Sequence, residues 1–110
     1  MATNYERGRR FEYSVMHRLQ RAGFYVIRSA GSHSLADLVA LGSGGVALIQ
    51  CKKARPSDSG IEHIYWEASK IFEEHDLPPN TGFYLAYKRN GRIEFLHLVG
   101  DDPLSKVMIQ

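Results

Sequence analysis

Two apolar runs, residues 35–41 (LADLVAL) and 46–53 (VALIQCKK), flank Gly42-Ser43-Gly44-Gly45. The glycine-rich link tolerates positive φ and can reverse the chain, so the pair predicts an antiparallel hairpin of two strands. Alternate side chains of a strand share a face, so Gln50 and Lys52 point one way and Cys51 the other. Asp37 opens the first run and can lie across the hairpin from residues 50–52. One carboxylate, one amide oxygen and one ammonium are thereby expected together at a strand end.

The remaining pattern surrounds this hairpin with an α/β order. Residues 4–22 read as a helix: Phe11, Val15 and Leu19 fall four apart, Met16 widens the stripe and Gly23 supplies a stop. Residues 24–28 form a short β-prone run, followed by the polar loop SAGSHS. After a loop holding Pro56, Ser57 and Asp58, the spacing of Ile61, Tyr65, Ala68 and Phe72 predicts a second helix, closed off by Pro78 and Pro79. Residues 81–87 and 93–98 read as two further strands around Lys88-Arg89-Asn90-Gly91, leaving a short, loosely held tail. The order is α-β-β-β-α-β-β. With 110 residues, 44% of them hydrophobic, the chain is expected to form a single domain over residues 1–110.

Composition excludes several classes of function. Cys51 is the only cysteine, so an internal disulfide and a cysteine-based zinc knuckle are both excluded and a reducing compartment is favoured. The N-terminal MATNYERGRR is charged where a leader would be apolar, and no run approaches the roughly 18 apolar residues of a membrane span. A cytoplasmic protein with no membrane partner and no small-molecule cofactor is expected. Charge is unevenly placed: residues 1–55 hold nine Lys or Arg against three acids, +6, and the rest hold five against nine, −4. A basic first half suits a polyanion, because cations that neutralise phosphates release counterions. Arg7, Arg9, Arg10, Arg28, Lys53 and Arg55 are the candidate contacts. No helix offers an evident set of base-reading side chains, so recognition of backbone shape is expected.

The patch at Asp37, Gln50 and Lys52 suits phosphate chemistry. A hard cation such as Mg²⁺ prefers oxygen ligands and keeps several waters, so few protein donors suffice. A lysine beside it can stabilise charge on a phosphate or favour ionisation of the attacking water.

The run GFYVIRSAGSHSLADLVAL followed by GVALIQCKKA resembles the archaeal-type Holliday junction resolvases of the PD-(D/E)xK nuclease superfamily. The agreement includes a basic first helix holding a glutamate, a strand ending in Arg-Ser-Ala-Gly-Ser, an aspartate opening the next strand and a lysine on the third. It is clear from residue 5 to 54 and pattern-level to residue 98. The resemblance implies a restriction-endonuclease-like mixed five-stranded sheet flanked by helices. It implies a homodimer that cuts phosphodiester bonds in four-way DNA junctions with Mg²⁺, Mn²⁺ substituting.

Carried over by position, Glu12 matches the helical glutamate that reaches the metal, Asp37 the metal-bridging aspartate and Lys52 the catalytic lysine, with the carbonyl of Cys51 a further metal ligand. Arg28 matches the strand-end arginine and Ser32 the mobile-loop serine, both associated with phosphate contact; His33 lies in the same loop. Two positions depart from the pattern. Ala36 replaces the usual proline, and Gln50 replaces the acid of the (D/E)xK motif. An amide oxygen can coordinate Mg²⁺ but brings no charge, so weaker metal binding is expected. The alternatives are another DNA nuclease of the superfamily, for repair or nicking, and a non-catalytic DNA-binding module with a degenerate site.

Other residues read more plainly. His17, His63, His75 and His97 lack metal-ligand spacing and are expected at the surface or in caps. Tyr65 and Trp66 are expected to pack in the core, with a subunit interface as the second place for Trp66; Cys51 is expected to pack behind the sheet as a small apolar residue. A junction has two-fold symmetry and needs two opposed cuts, which suits a C2 dimer.

Overall fold

The computed structural model describes residues 3–29, 34–105 and 107. Seven elements follow the expected order: α1 (Asn4–Arg21), β1 (Tyr25–Arg28), β2 (Leu38–Gly42), β3 (Gly45–Ala54), α2 (Asp58–Glu74), β4 (Thr81–Arg89) and β5 (Arg92–Gly100). The strands form one sheet in the order β1-β2-β3-β4-β5, antiparallel at every pairing except β3 with β4. That parallel step requires a crossover, which α2 provides.

Local chemistry explains the element ends. Thr3 and Glu6 form a reciprocal capping box, each side chain bonded to the other's backbone N–H at 3.1 Å, which fixes the start of α1. The first hairpin is tighter than its four glycine-rich residues suggested: Gly42 pairs with Gly45, leaving Ser43 and Gly44 as the loop. In the β4–β5 hairpin Arg89 pairs with Arg92, and Asn90 and Gly91 turn the chain at φ 51° and 76°. Positive φ at both residues is the signature of a turn whose twist matches the strands, and Asn-Gly tolerates it.

The sheet is covered on both sides. Phe11, Val15 and Leu19 of α1 pack on Val26, Leu38, Ala40, Ala47, Ile49, Tyr84 and Ala86. Ile64 and Ala68 of α2 pack on Ala36, Phe83, Leu85 and Tyr87. The alternation of β4 between these clusters leaves all of residues 81–87 buried, as a central strand in a two-faced sheet must be. Each large apolar side chain wholly removed from water there contributes about 1.5–3 kcal/mol.

Three expectations are corrected. Tyr65 and Trp66 are not core residues: they are 39% and 59% exposed, edge-on to each other, because Ile64 rather than Tyr65 continues the buried stripe. The tail is pinned through Ser105. Tyr84 donates its hydroxyl hydrogen to Asp102 and accepts from the Leu104 N–H, and Leu104 is buried. Finally, β2 begins at Leu38, so Asp37 stands just ahead of the strand rather than within it.

Candidate active site

The position of Asp37 is set by backbone bonds on both sides. Its carbonyl accepts from Ser29 N–H and its own N–H donates to Ile49 O, both at 2.8 Å. Held in this way, its Oδ2 accepts the Cys51 N–H at 2.8 Å. The carboxylate is thus fixed against the segment that carries Gln50 and Lys52.

Glu12 reaches the same region from α1. It flanks the buried stripe, and its Oε1 accepts from Arg28 Nε at 3.0 Å, with only 20% and 14% of the two side chains exposed. The Arg28 guanidinium also lies over the Tyr13 ring at 4.9 Å. Arg28, read from sequence as a phosphate contact, is therefore engaged with the glutamate in this structure.

The ionised form of both carboxyls is disfavoured, chiefly by burial. Burial raises the pKa of Glu12 and the charge of Asp37 adds to it, together outweighing the Arg28 bond. Burial also raises that of Asp37, against the Cys51 N–H and the charges of Lys52 and Arg28. Arg28 shows the reverse balance: burial opposes its charge, but the Glu12 bond and charge overcome it and hold it ionised. Within the pair the arginine stays charged, while burial still opposes ionisation of Glu12. The Cys51 thiol is pushed well up by burial and then by Asp37 and Glu12, so it stays a protonated, mostly buried group packed against the α1-side core, as expected.

Gln50 and Lys52 face the α2 side, in an open cleft of about 540 Å³ bordered by Leu35, Pro56, His63 and Ile64. The Oε1 of Gln50 is buried and accepts no hydrogen bond among the described residues. A buried acceptor left unpaired costs about 1–3 kcal/mol, so this oxygen is a candidate to accept from or coordinate a further group. Among the described residues no three His, Cys, Asp or Glu side chains are grouped to hold a metal ion. Glu12, Asp37 and Gln50 offer oxygen donors only, the kind that a hard cation prefers.

The remaining sequence candidates separate. Arg7, Arg10 and Lys53 line one groove together with Lys88, which the sequence did not single out. Arg9 lies over the Tyr5 ring at 5.4 Å, and Arg55 pairs with Asp58 at 3.4 Å. Ser32 and His33 lie outside the described residues. His75 caps α2 through the Ile71 carbonyl and His63 is exposed, both as expected, with His63 also bordering the cleft.

The raised carboxyls have a measurable consequence in the metal-free protein. Folding opposes the ionised form of Asp37, so this penalty is absent at acid pH and develops as pH rises through the ordinary carboxylate range to the higher folded value. Asp37→Asn keeps an oxygen for the Cys51 N–H and should raise the midpoint of urea unfolding at pH 7 but not near pH 3. A midpoint at pH 7 equal to or below the parent's would contradict the burial penalty on the Asp37 carboxylate.

Comparison with known proteins is consistent with this arrangement. The protein-family model described as archaeal Holliday junction resolvase (hjc) matches residues 3–98. The crossover junction endodeoxyribonuclease Hjc of Methanocaldococcus jannaschii is 35% identical over 97 residues, 88% of this chain and 70% of that protein. The solved structure of Archaeoglobus fulgidus Hjc, a Holliday junction resolvase from an archaeal hyperthermophile, superposes with a TM-score of 0.56 at 26% identity, covering 84% of this chain and 73% of that one. A family match over nearly the whole length, joined to this identity and this shared fold, establishes that the chain belongs to the archaeal Holliday junction resolvase family.

Proposed function

We propose that this Holliday junction resolvase, a nuclease by family, cuts the junction backbone by Mg²⁺-assisted hydrolysis and acts as a homodimer. The observation that carries the metal-assisted reading is the buried, unpartnered Gln50 Oε1, in the same cleft as Lys52 and next in sequence to the residue whose N–H fixes Asp37. Glu12, Asp37 and Gln50 would hold the cation and, by the resemblance, so would the Cys51 carbonyl; when bound, it supplies Lewis-acid polarisation of the phosphate and a more acidic water.

The chain's own groups do the rest. Hydrolysis adds the hydroxyl of water to phosphorus and breaks one P–O ester bond, with a proton passing to the departing oxygen. Lys52 lines the cleft, where its ammonium would stabilise the charge that builds on the phosphoryl oxygens. The Cys51 N–H orients the Asp37 carboxylate, and Arg28 orients that of Glu12. Paired orientation matters because small displacements of such groups cost large factors in rate.

Lys52→Ala and Asp37→Asn should each slow cutting of a synthetic four-way junction by at least about 10²-fold. Junction binding in metal-free buffer should stay within a few-fold of the parent's. The check is single-turnover cleavage with and without Mg²⁺, using a plain duplex and a flap as competing substrates. Near-parental rates for either variant would remove the site assignment. A parent that prefers the duplex or the flap would point to a repair or nicking nuclease.

Two opposed cuts require two sites, and one chain carries one. The exposed Tyr65 and Trp66 give α2 an aromatic surface of the kind enriched in subunit contacts. Sedimentation should therefore report a dimer at the concentrations that cut junctions, with Trp66→Glu shifting it toward monomer. A parent that sediments as a monomer while making paired cuts would overturn the dimer.

A further inference from the structure

The strongest feature not used by the chemistry is a groove of about 280 Å³ lined by Arg7, Arg10, Phe11, Ser14, Lys53 and Lys88. Four of these six residues are cationic and none is acidic. Two come from α1, one from β3 and one from β4, so residues far apart in the chain converge on one site. Phe11 is buried and gives the groove a rigid floor, and Asn4 Oδ1 holds the Arg7 guanidinium at 2.9 Å.

The backbone beside the groove is irregular. Pairing of β3 with β4 steps from Lys52↔Tyr87 to Ala54↔Lys88, so Lys53 is an extra residue in its strand. Bulges of this kind re-aim side chains. Here Lys52 enters the cleft on the α2 side, while Lys53 joins Lys88 in the groove against α1. Like charges on neighbouring strands repel, and no acid in the groove relieves them; an anion would.

The placement of the groove identifies the anion. At 3.6 residues per turn, Glu12 lies roughly 140–160° around the α1 axis from Arg7, Arg10 and Ser14. The buried stripe of α1 thus separates the groove from the carboxylate, and the sheet separates the groove from the cleft with Lys52. A backbone lying in the cleft does not also follow the groove unless it bends around the strand end. A branched DNA has a second backbone diverging from the first.

We infer that this groove binds the phosphodiester backbone of a DNA arm other than the one being cut, with Lys53 and Lys88 as phosphate contacts that favour branched over linear DNA. The inference rests on the resolvase reading and adds to it a second DNA-binding track.

The test uses the full-length protein with Lys53→Ala, Lys88→Ala and the double substitution. All are at exposed positions, so folding should persist and circular dichroism will verify it. Binding to a four-way junction and to a duplex of equal length is measured in metal-free buffer across a salt series. The double variant should lower the slope of log affinity against log salt for the junction by about two units, roughly 0.9 per phosphate contact, and leave the duplex slope unchanged. Unchanged junction slopes would overturn the inference, as would an equal loss on junction and duplex, which would make the groove part of the path of the cut arm. A parent with no preference for the junction would be a separate result: it would remove the resolvase reading and the inference with it.

Discussion

Where β2 meets β3, a side chain extends the hydrogen bonding of the backbone by one step. Ile49 O accepts the Asp37 N–H, and the next outward-facing donor, Cys51 N–H, is taken by the Asp37 carboxylate. That bond does two things. It satisfies a half-buried amide that would otherwise be left at the sheet's opening, and it fixes a carboxylate against the residues that carry Gln50 and Lys52. The rest of the site is arranged around this point: Glu12 arrives from α1 on one side, and the cleft with Lys52 opens on the other.

The electrostatics of the site are those of a place built to lack something. Two carboxyls resist ionisation because they are buried, an arginine pairs with only one of them, and a buried amide oxygen finds no donor among the described residues. Each of these lowers the stability of the isolated chain. Functional sites commonly keep such costs, because the groups that make a fold stable are not those that bind a charged ligand. In the proposed metal site Gln50 would soften the conflict, since a neutral amide is cheaper to bury than a third carboxylate, at the expense of attraction for a cation.

Much of this was legible in the sequence, and the failures have physical causes. The central hairpin, both helices and the strand order of residues followed from apolar spacing and turn chemistry. Gln50 and Lys52 were placed on one face by strand alternation alone. Tyr65 was misplaced because positions 64 and 65 both extend a helical stripe, and only packing against β4 selects Ile64. The tail was misjudged because its anchor, Tyr84, is 18 residues from Asp102. The Glu12–Arg28 pair spans 16 residues and two elements, and Lys88 meets Lys53 only through a parallel pairing and a bulge. Long-range partners of this kind leave no local pattern to read.

The proposed metal-assisted cleavage depends most on Gln50 Oε1 facing the cation. A Mg²⁺ titration of junction cleavage by the parent, Gln50→Glu and Gln50→Ala tests this directly, with circular dichroism to show that all three fold. A restored carboxylate adds about 1 to 4 kcal/mol of attraction at close range before desolvation is subtracted. Half-maximal activity of Gln50→Glu should therefore fall to roughly tenfold lower Mg²⁺, tenfold being about 1.4 kcal/mol, while Gln50→Ala should demand more metal than the parent. Three superimposable titration curves would show that Gln50 does not face the cation and would contradict the site described here.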